Sequence, residues 1–230
     1  MGDPRISVVV PVLNEAGSVE TCLRQFESSG DEVEVLVVDG GSADDTRERV
    51  IATGAAHLVE SPKGRAVQMN AGAAASRGDI LLFLHSDSIL PEGWETEITE
   101  ALADDRIAGG RFRLALSEDG LGYRLIEWMS TLRSRFLGIT YGDQGIFVRR
   151  RAFEGVGGFP DRQIFEDSEF CDALKRLGRF VMVGASLTTS ARRWKRWGIC
   201  RTVLRMWWLR LLYALSVSDE KLSSMYKDVR

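Results

Sequence analysis

Four places in this sequence set carboxylates beside apolar runs in a way that could do chemistry. LLFLHSD (81–87) reads as a buried strand ending in His85, Ser86 and Asp87, and EVLVVDGGS (34–42) ends in Asp39 followed by two glycines. ISVVVPVLNE (6–15) ends in Asn14 and Glu15, and FEDSEF (165–170) puts Glu166 and Asp167 at the start of a helical pattern. In an open α/β sheet, ligands bind beyond the carboxyl ends of the strands, where strand order reverses. An acid at one strand end is often only a turn former or helix cap, but three such ends on one edge would converge on one crevice. Mg²⁺ and Mn²⁺ prefer oxygen ligands and often take only one or two carboxylates when substrate phosphates supply the rest. Such an edge can hydrogen-bond a base and ribose through Asp39 and the first loop, and present Asp87 to a metal bridging a diphosphate.

Asp167 suits a different step. Single displacement at an anomeric carbon needs a carboxylate that takes the acceptor hydroxyl's proton as that oxygen attacks. A position in the first turn of a helix favours the ionised form. Read structurally, Glu166, Asp167 and Glu169 only complement the helix dipole. A leaving diphosphate also needs positive charge, for which Arg65, Arg192 and Arg193 are candidates, with Trp194 able to stack on a sugar or an arginine. The structural alternative for this basic run is solvated surface.

Other chemistries find no footing. No GxGxxG follows the first strand, and neither GxxxxGK[ST] nor GxSxG occurs, which argues against dinucleotide, P-loop and nucleophile-elbow enzymes. The cysteines Cys22, Cys171 and Cys200 are odd in number and lack CxxC spacing, so neither a disulfide framework nor a zinc site is indicated. A net charge of -3 and a pI near 5.6 give no general attraction to nucleic acid. The opening MGDPR lacks the pattern of a secretory signal, which leads to the expectation of a cytoplasmic protein.

The elements that must hold these residues can be read from periodicity. Short β-branched runs alternating with helical patterns predict βαβ units and a mostly parallel sheet with helices on both faces. ISVVVPVL is the first strand; Ser18 caps a helix carrying Val19, Cys22, Leu23 and Phe26 and closed by Gly30. EVLVVDG, a helix in SADDTRERVIATG, a brief strand in AAHLVE, a small-residue helix in GRAVQMNAGAAASRG and the strand DILLFLHSD follow. Pro91 sits at a helix N1 position, with Trp94, Ile98, Ala101 and Leu102 on one face. RFRLAL (111–116) alternates strictly and should be half exposed. A helix around Tyr123 to Phe136, a strand in QGIFV, a helix near Phe165 and a strand in FVMVGA complete the second half.

The apolar stretch 203–217 contains Arg205 and Arg210 and is shorter than the ~20 residues of a bilayer span. A helix so apolar is expected in the core or in a homodimer. With Arg196 and Arg201 also near, peripheral contact with an anionic membrane surface is the alternative.

PVLNE (11–15), VVDGGSADDT (37–46), the aspartate after the fourth strand and FEDSEF, in this order, resemble family 2 glycosyltransferases of the GT-A fold over roughly residues 6 to 195. More narrowly, GRAVQMNAG, LLFLHSD, GDQGIFVRR and TTSARRW are similar to a small bacterial subgroup of arsenosugar-biosynthesis-type glycosyltransferases. The resemblance implies that Pro11, Asn14, Glu15 and Asp39 hold the nucleotide, that Asp87 is the metal-binding acid of a DxD element, and that Asp167, in the Glu166–Asp167 pair, is the catalytic base. His85 stands where the first DxD acid is expected; an imidazole there can ligate metal, bond a phosphate or merely pack. GDQG (142–145) resembles a loop contacting donor or acceptor sugar through Asp143 and Gln144, or is a glycine turn.

The resulting expectation is a single GT-A-like α/β domain over 1–230. It comprises a nucleotide-sugar-binding half (6–110), an acceptor and catalytic half (111–195) and a C-terminal helical segment (196–230). It would transfer a sugar, with inversion, from a nucleoside diphosphate donor, UDP by default, to a hydroxyl acceptor with Mg²⁺ or Mn²⁺. The alternatives are a sugar-1-phosphate nucleotidyltransferase, whose usual glycine-rich first loop is replaced here by PVLNEAGS, and a noncatalytic nucleotide-sugar-binding protein.

Overall fold

A strand buried on both faces must be apolar at nearly every position, and this is how the first half of the chain is written. In the computed structural model, which describes residues 6–226, β1 (Ile6–Val12) lies between β2 (Val33–Asp39) and β4 (Ile80–Phe83), with β3 (His57–Glu60) beyond β2. All these pairings are parallel, with Val12 opposite Asp39 and Val9 opposite Phe83, so the strand exits share one edge. The chain runs outward from β1 to β2 and β3, then returns to β4 on the other side of β1. That reversal opens the crevice expected at the carboxyl ends. Residues 1–5 and 227–230 of the expected domain lie outside the described residues.

The sheet continues through β7 (Ile146–Arg149), β6 (Ile107–Leu116), β8 (Arg179–Thr189) and the two-residue β5 (Ser88–Ile89). β7 is antiparallel to β4 and β6, β6 and β8 are parallel, and β5 is antiparallel to β8. The short β5 bridge pairs Ser88 with Thr189, which brings the end of β8 against the exit of β4.

Alternation along β1 divides the core. Val8, Val10 and Val12 face Leu23 of α1 (Val19–Arg24), Val50 of α2 (Thr46–Thr53), and Trp94 and Ile98 of α4 (Trp94–Ala101). Val9, Leu81 and Phe83 face α3 (Arg65–Ala75), α6 (Arg150–Val156) and α7 (Glu166–Leu177). Helix α3 lies close on the sheet because Gly72 has no side chain: a Cβ there would stand 2.4 Å from Val9 Cγ1. Beyond the sheet come α5 (Leu121–Leu137), α8 (Arg192–Trp197), α9 (Ile199–Ala214) and α10 (Asp219–Met225).

Several local expectations are corrected. α1 ends at Arg24 rather than at Gly30, and Ser18 Oγ turns away from the helix to donate to Glu15 Oε2 at 2.7 Å. Pro91 precedes the helix it was expected to start, whose N-cap is Gly93 in the left-handed region. RFRLAL alternates as expected from Phe112 to Leu116, with Arg113 exposed and Ala115 half-buried, but Arg111 departs from the pattern: it is buried, with Nη1 donating to Thr140 Oγ1 at 2.8 Å. The apolar C-terminal helix α9 is not a core helix, since Leu209 is buried but Leu204, Trp207, Trp208 and Leu211 are at least half exposed.

Candidate active site

The carboxyl edge of the sheet opens into a cleft of about 750 Å³ lined from both halves of the chain. Its walls include Pro11 and Glu15 after β1, Arg65 and Gln68 of α3, His85 and Asp87 after β4, Gly142 and Asp143, Glu166 and Asp167 of α7, and Arg192, Arg193 and Trp194 of α8. Residues more than a hundred positions apart in sequence are thus assembled by the parallel strand ends and by the β5–β8 bridge.

Asp87 leaves β4 where Ser190 N–H donates to its backbone carbonyl at 3.2 Å, fixing the turn. Its carboxylate lies 3.2 Å from Arg192 Nη2, and the same nitrogen donates to Glu15 Oε1 at 3.0 Å. One guanidinium therefore ties the exits of β1 and β4 together. Burial pushes the Asp87 carboxyl above its ordinary value, against the pull of Arg192.

His85 is a neutral imidazole here, because burial and then Arg65, Arg193 and Arg192 drive its pKa down to about 3. Its Nε2 is buried without a hydrogen-bond partner, as is Asp143 Oδ1. Burial also raises the Asp143 carboxyl. These are the donors a divalent cation takes: carboxylate oxygen and a neutral imidazole nitrogen. Among the described residues no group of three or more His, Cys, Asp or Glu could hold a metal by itself. The fit is therefore to an ion that the protein ligates partly, with phosphate oxygens and water completing the shell.

Asp167 sits in the first turn of α7, whose N-cap, Phe165, takes the left-handed conformation at φ 63°. A bulky residue there is uncommon and costs energy unless packing enforces it. The enforcement is visible: Phe165 is buried against Tyr213, ring centroids 5.1 Å apart, with Arg210 over its face at 5.3 Å. Gly142 N–H donates to Asp167 Oδ2 at 2.5 Å. Burial first, then neighbouring Glu166, raise Asp167 to about 7. Arg65 Nη1 lies 3.4 Å from Glu166 Oε1 and draws that acid toward α3.

Gly142 is the hinge of this constellation, since a Cβ on it would stand 3.0 Å from His85 Nε2 and 3.3 Å from Asp167 Oδ2. A side chain here would press on both imidazole and carboxylate, so the glycine lets the backbone pass between them without displacing either.

Not every expected residue opens into the cleft. Asp39 is buried, and its carboxylate accepts from Gly41 N–H, Ser42 N–H and Ser42 Oγ–H, so it builds the loop after β2. Asn14, at φ 55°, accepts from Ala43 N–H through Oδ1 and belongs to the same loop. Neither is part of the cleft wall. Gln144 is fully buried behind the 3-10 turn Gly142–Gln144, its Oε1 accepting from Ser134 Oγ and Tyr141 N–H.

Sequence reasoning missed Gln68, Arg133 and Tyr141. Gln68 Nε2 donates to the carbonyls of Val12 at 2.7 Å and Val38 at 2.8 Å, latching the ends of β1 and β2. A lone glutamine among the small residues of GRAVQMNAG was its signal. Arg133 lies over the Tyr141 ring at 4.1 Å beside the Asp143 loop, and only its place on the inner side of α5 could have suggested it.

Comparison with known proteins bears on the fold and the family. A solved mannosyltransferase from Pyrobaculum calidifontis, in complex with GDP-Man and Mn²⁺, superposes with a TM-score of 0.63 at 24% identity, covering 82% of this chain and 57% of that one. Glucosyl-3-phosphoglycerate synthase from Mycobacterium tuberculosis, in complex with Mn²⁺, UDP-Glc and phosphoglyceric acid, superposes at 0.60 with 25% identity, covering 81% of this chain and 71% of that one. Glycosyltransferase AglE of Haloferax volcanii is 28% identical over 178 residues, 70% of this chain and 58% of that protein. The chain spans about half the length of the curated relatives it matches. Residues 7–157, well over half of the 230, match the family described as Glycosyl transferase family 2, and the chain belongs to that family.

Proposed function

We propose that the cleft transfers a sugar, with inversion, from a nucleoside diphosphate sugar, UDP-linked by preference, to a hydroxyl acceptor. The observation that carries this reading is the pairing, in one cleft, of Asp87 at the exit of β4 with Asp167 on α7, whose pKa of about 7 suits a base working near neutrality. Family membership supports sugar transfer, and the UDP-Glc and Mn²⁺ named with the synthase neighbour favour a UDP-linked donor and a metal.

Asp87, with at most one further protein donor such as the unpartnered His85 Nε2, would hold a Mg²⁺ or Mn²⁺ whose shell phosphate oxygens and water complete. When bound, that ion offsets the charge of the leaving diphosphate. Arg192 and Arg193 supply further positive charge, and a diphosphate would compete with Glu15 and Asp87 for the Arg192 guanidinium. Trp194 lines the cleft and is the aromatic residue available to stack on the sugar.

At the reacting centre the acceptor oxygen forms its bond to the anomeric carbon as the carbon–oxygen bond to the diphosphate breaks. That electron pair leaves on the phosphate oxygen. The acceptor's proton passes to Asp167 Oδ2, which the Gly142 N–H holds in place. Glu166, drawn aside by Arg65, sets the negative field that keeps Asp167 basic. Asp39 and Asn14 act through the loop they build, which shapes the nucleotide end near Pro11 and Glu15. Residues 6–110 then serve the donor, 111–195 the acceptor and the base, and 196–226 the rim.

Water serves as a slow acceptor in the test. Proton NMR of a UDP-α-sugar incubated with the protein and Mn²⁺ should show the β-anomer appearing first, and Asp167→Asn should suppress it. The α-anomer appearing first would overturn inversion. Pyrophosphate release from a nucleoside triphosphate and a sugar 1-phosphate, without such hydrolysis, would instead favour a nucleotidyltransferase.

A further inference from the structure

Two helices flank the cleft, and each leaves an apolar side without a cover. On α5, Leu121, Leu125, Trp128, Leu132 and Phe136 recur at spacings of three and four, and their exposures run from 39% to 92%. On α9 and its C-cap, Leu204, Trp207, Trp208, Leu211 and Leu215 do the same, at 50% to 70%. Single exposed apolar residues are ordinary, but two such stripes on neighbouring helices are not. The helices meet at their starts, where a Cβ on Gly122 would stand 2.6 Å from Ile199 Cδ1. From that joint both run along the cleft. Met129 of α5 and Trp207 of α9 are exposed and also line the cleft, so the apolar surface continues into its rim.

The charge beside the α9 stripe has one sign along the chain. Between Ala191 and Val217 the chain carries Arg192, Arg193, Lys195, Arg196, Arg201, Arg205 and Arg210 and no Asp or Glu, although its net charge is -3. Arg196 and Arg201 are exposed. Arg192 and Lys195 already pair with Glu15, Asp87 and Glu118, but a second copy related by a two-fold axis would bring the same patch against itself, setting the exposed Arg196 and Arg201 near their counterparts with no acid on α9 to offset them. An anionic lipid surface supplies that offset. Tryptophan suits the head-group level and arginine stems lie along apolar surface while their heads stay wet. No described helix is long and apolar enough to cross a membrane, so contact would be in the plane of the surface.

We propose that α5 and α9 together dock this chain on an anionic lipid bilayer, with the mouth of the cleft held at the head-group level. Combined with the transferase reading, on which this last step rests, docking places the acceptor hydroxyl on an amphiphile presented at that surface.

Sedimentation with vesicles tests the docking alone. Wild type should pellet with vesicles containing phosphatidylglycerol at low salt and bind about tenfold or more weakly in high salt. It should bind pure phosphatidylcholine vesicles weakly, and Trp fluorescence should shift to the blue on the anionic ones. Leu204→Glu/Trp208→Glu, and separately Trp128→Glu, should each lose about tenfold or more in vesicle affinity. These residues lie outside the cleft, so calorimetric binding of UDP with Mn²⁺ without vesicles should be unchanged. Wild type that binds nucleotide but stays in the supernatant overturns docking and leaves the transferase reading intact. Indifference to vesicles together with a dimer that Leu204→Glu/Trp208→Glu splits would assign the patch to a second copy and likewise overturn it.

Discussion

Asp167→Asn should make this protein more stable and less active at once, by an amount that depends on pH. The wild-type carboxyl is 8% exposed and rises from an ordinary 3.8 to about 7, chiefly through burial and then through Glu166. An acid whose folded pKa is raised favours the folded state most when protonated. Its contribution is therefore fully present below about pH 4, is lost as pH rises toward 7, and stays lost above. The gap between 3.8 and about 7 corresponds to roughly 4 kcal/mol at about 1.36 kcal/mol per tenfold change in proton affinity. Because the charge is shared with Glu166, about half of that, ~2 kcal/mol, is assigned to Asp167. Asparagine keeps the shape and removes the charge, so at pH 8 the variant should gain ~2 kcal/mol, or about 4–8 °C in Tm for a chain of this size. At pH 4 the gain should fall to near zero, and transfer should be lost at every pH. Urea unfolding of both proteins across pH 4–8, with donor turnover measured in parallel, checks this. A stability difference that does not change with pH would refute the raised pKa, and full turnover by the variant would refute the base.

Gly142→Ala places a methyl 3.0 Å from His85 Nε2 and 3.3 Å from Asp167 Oδ2. Turnover should fall about 10- to 100-fold, with Tm held within a few degrees, which steady-state kinetics and calorimetry can separate. His85→Ala removes a nitrogen that has no hydrogen-bond partner; the Mn²⁺ concentration needed for half-maximal nucleotide binding should rise about tenfold, while binding at saturating Mn²⁺ survives. In Gly72→Ala the new Cβ meets Val9 Cγ1 at 2.4 Å and Val38 Cγ2 at 2.8 Å. Denaturant titration should report a loss of about 1–3 kcal/mol from overpacking.

What the sequence disclosed was what periodicity controls. The apolar runs of β1, β2 and β4 announce a sheet covered on both faces, and the acids behind them must then share an edge. Asp167 was legible because Phe165 precedes Phe170, Ala173, Leu174 and Leu177 at helical spacing, so its place in a first turn followed directly. Direction was not legible. Asp39 ends its strand as expected, yet its carboxylate turns into its own loop, a choice made by the amides of Gly41 and Ser42. Arg111 looked like the exposed half of an alternating strand, but its strand runs between two others and its guanidinium is sealed in. The burial of α9 could not be read either, because a helix apolar on all sides does not say which side lacks a neighbour.

Asp87 holding a cation against a nucleoside diphosphate is the step on which the proposed transfer depends. Isothermal calorimetry of UDP and GDP, free and sugar-linked, with wild type and Asp87→Ala, with and without Mn²⁺, measures this. Metal-dependent binding in wild type, strongest for the UDP compounds and abolished in Asp87→Ala with the fold intact, is the predicted result. Binding that ignores both Mn²⁺ and the loss of Asp87, or no binding to any of these ligands by folded wild type, would contradict it.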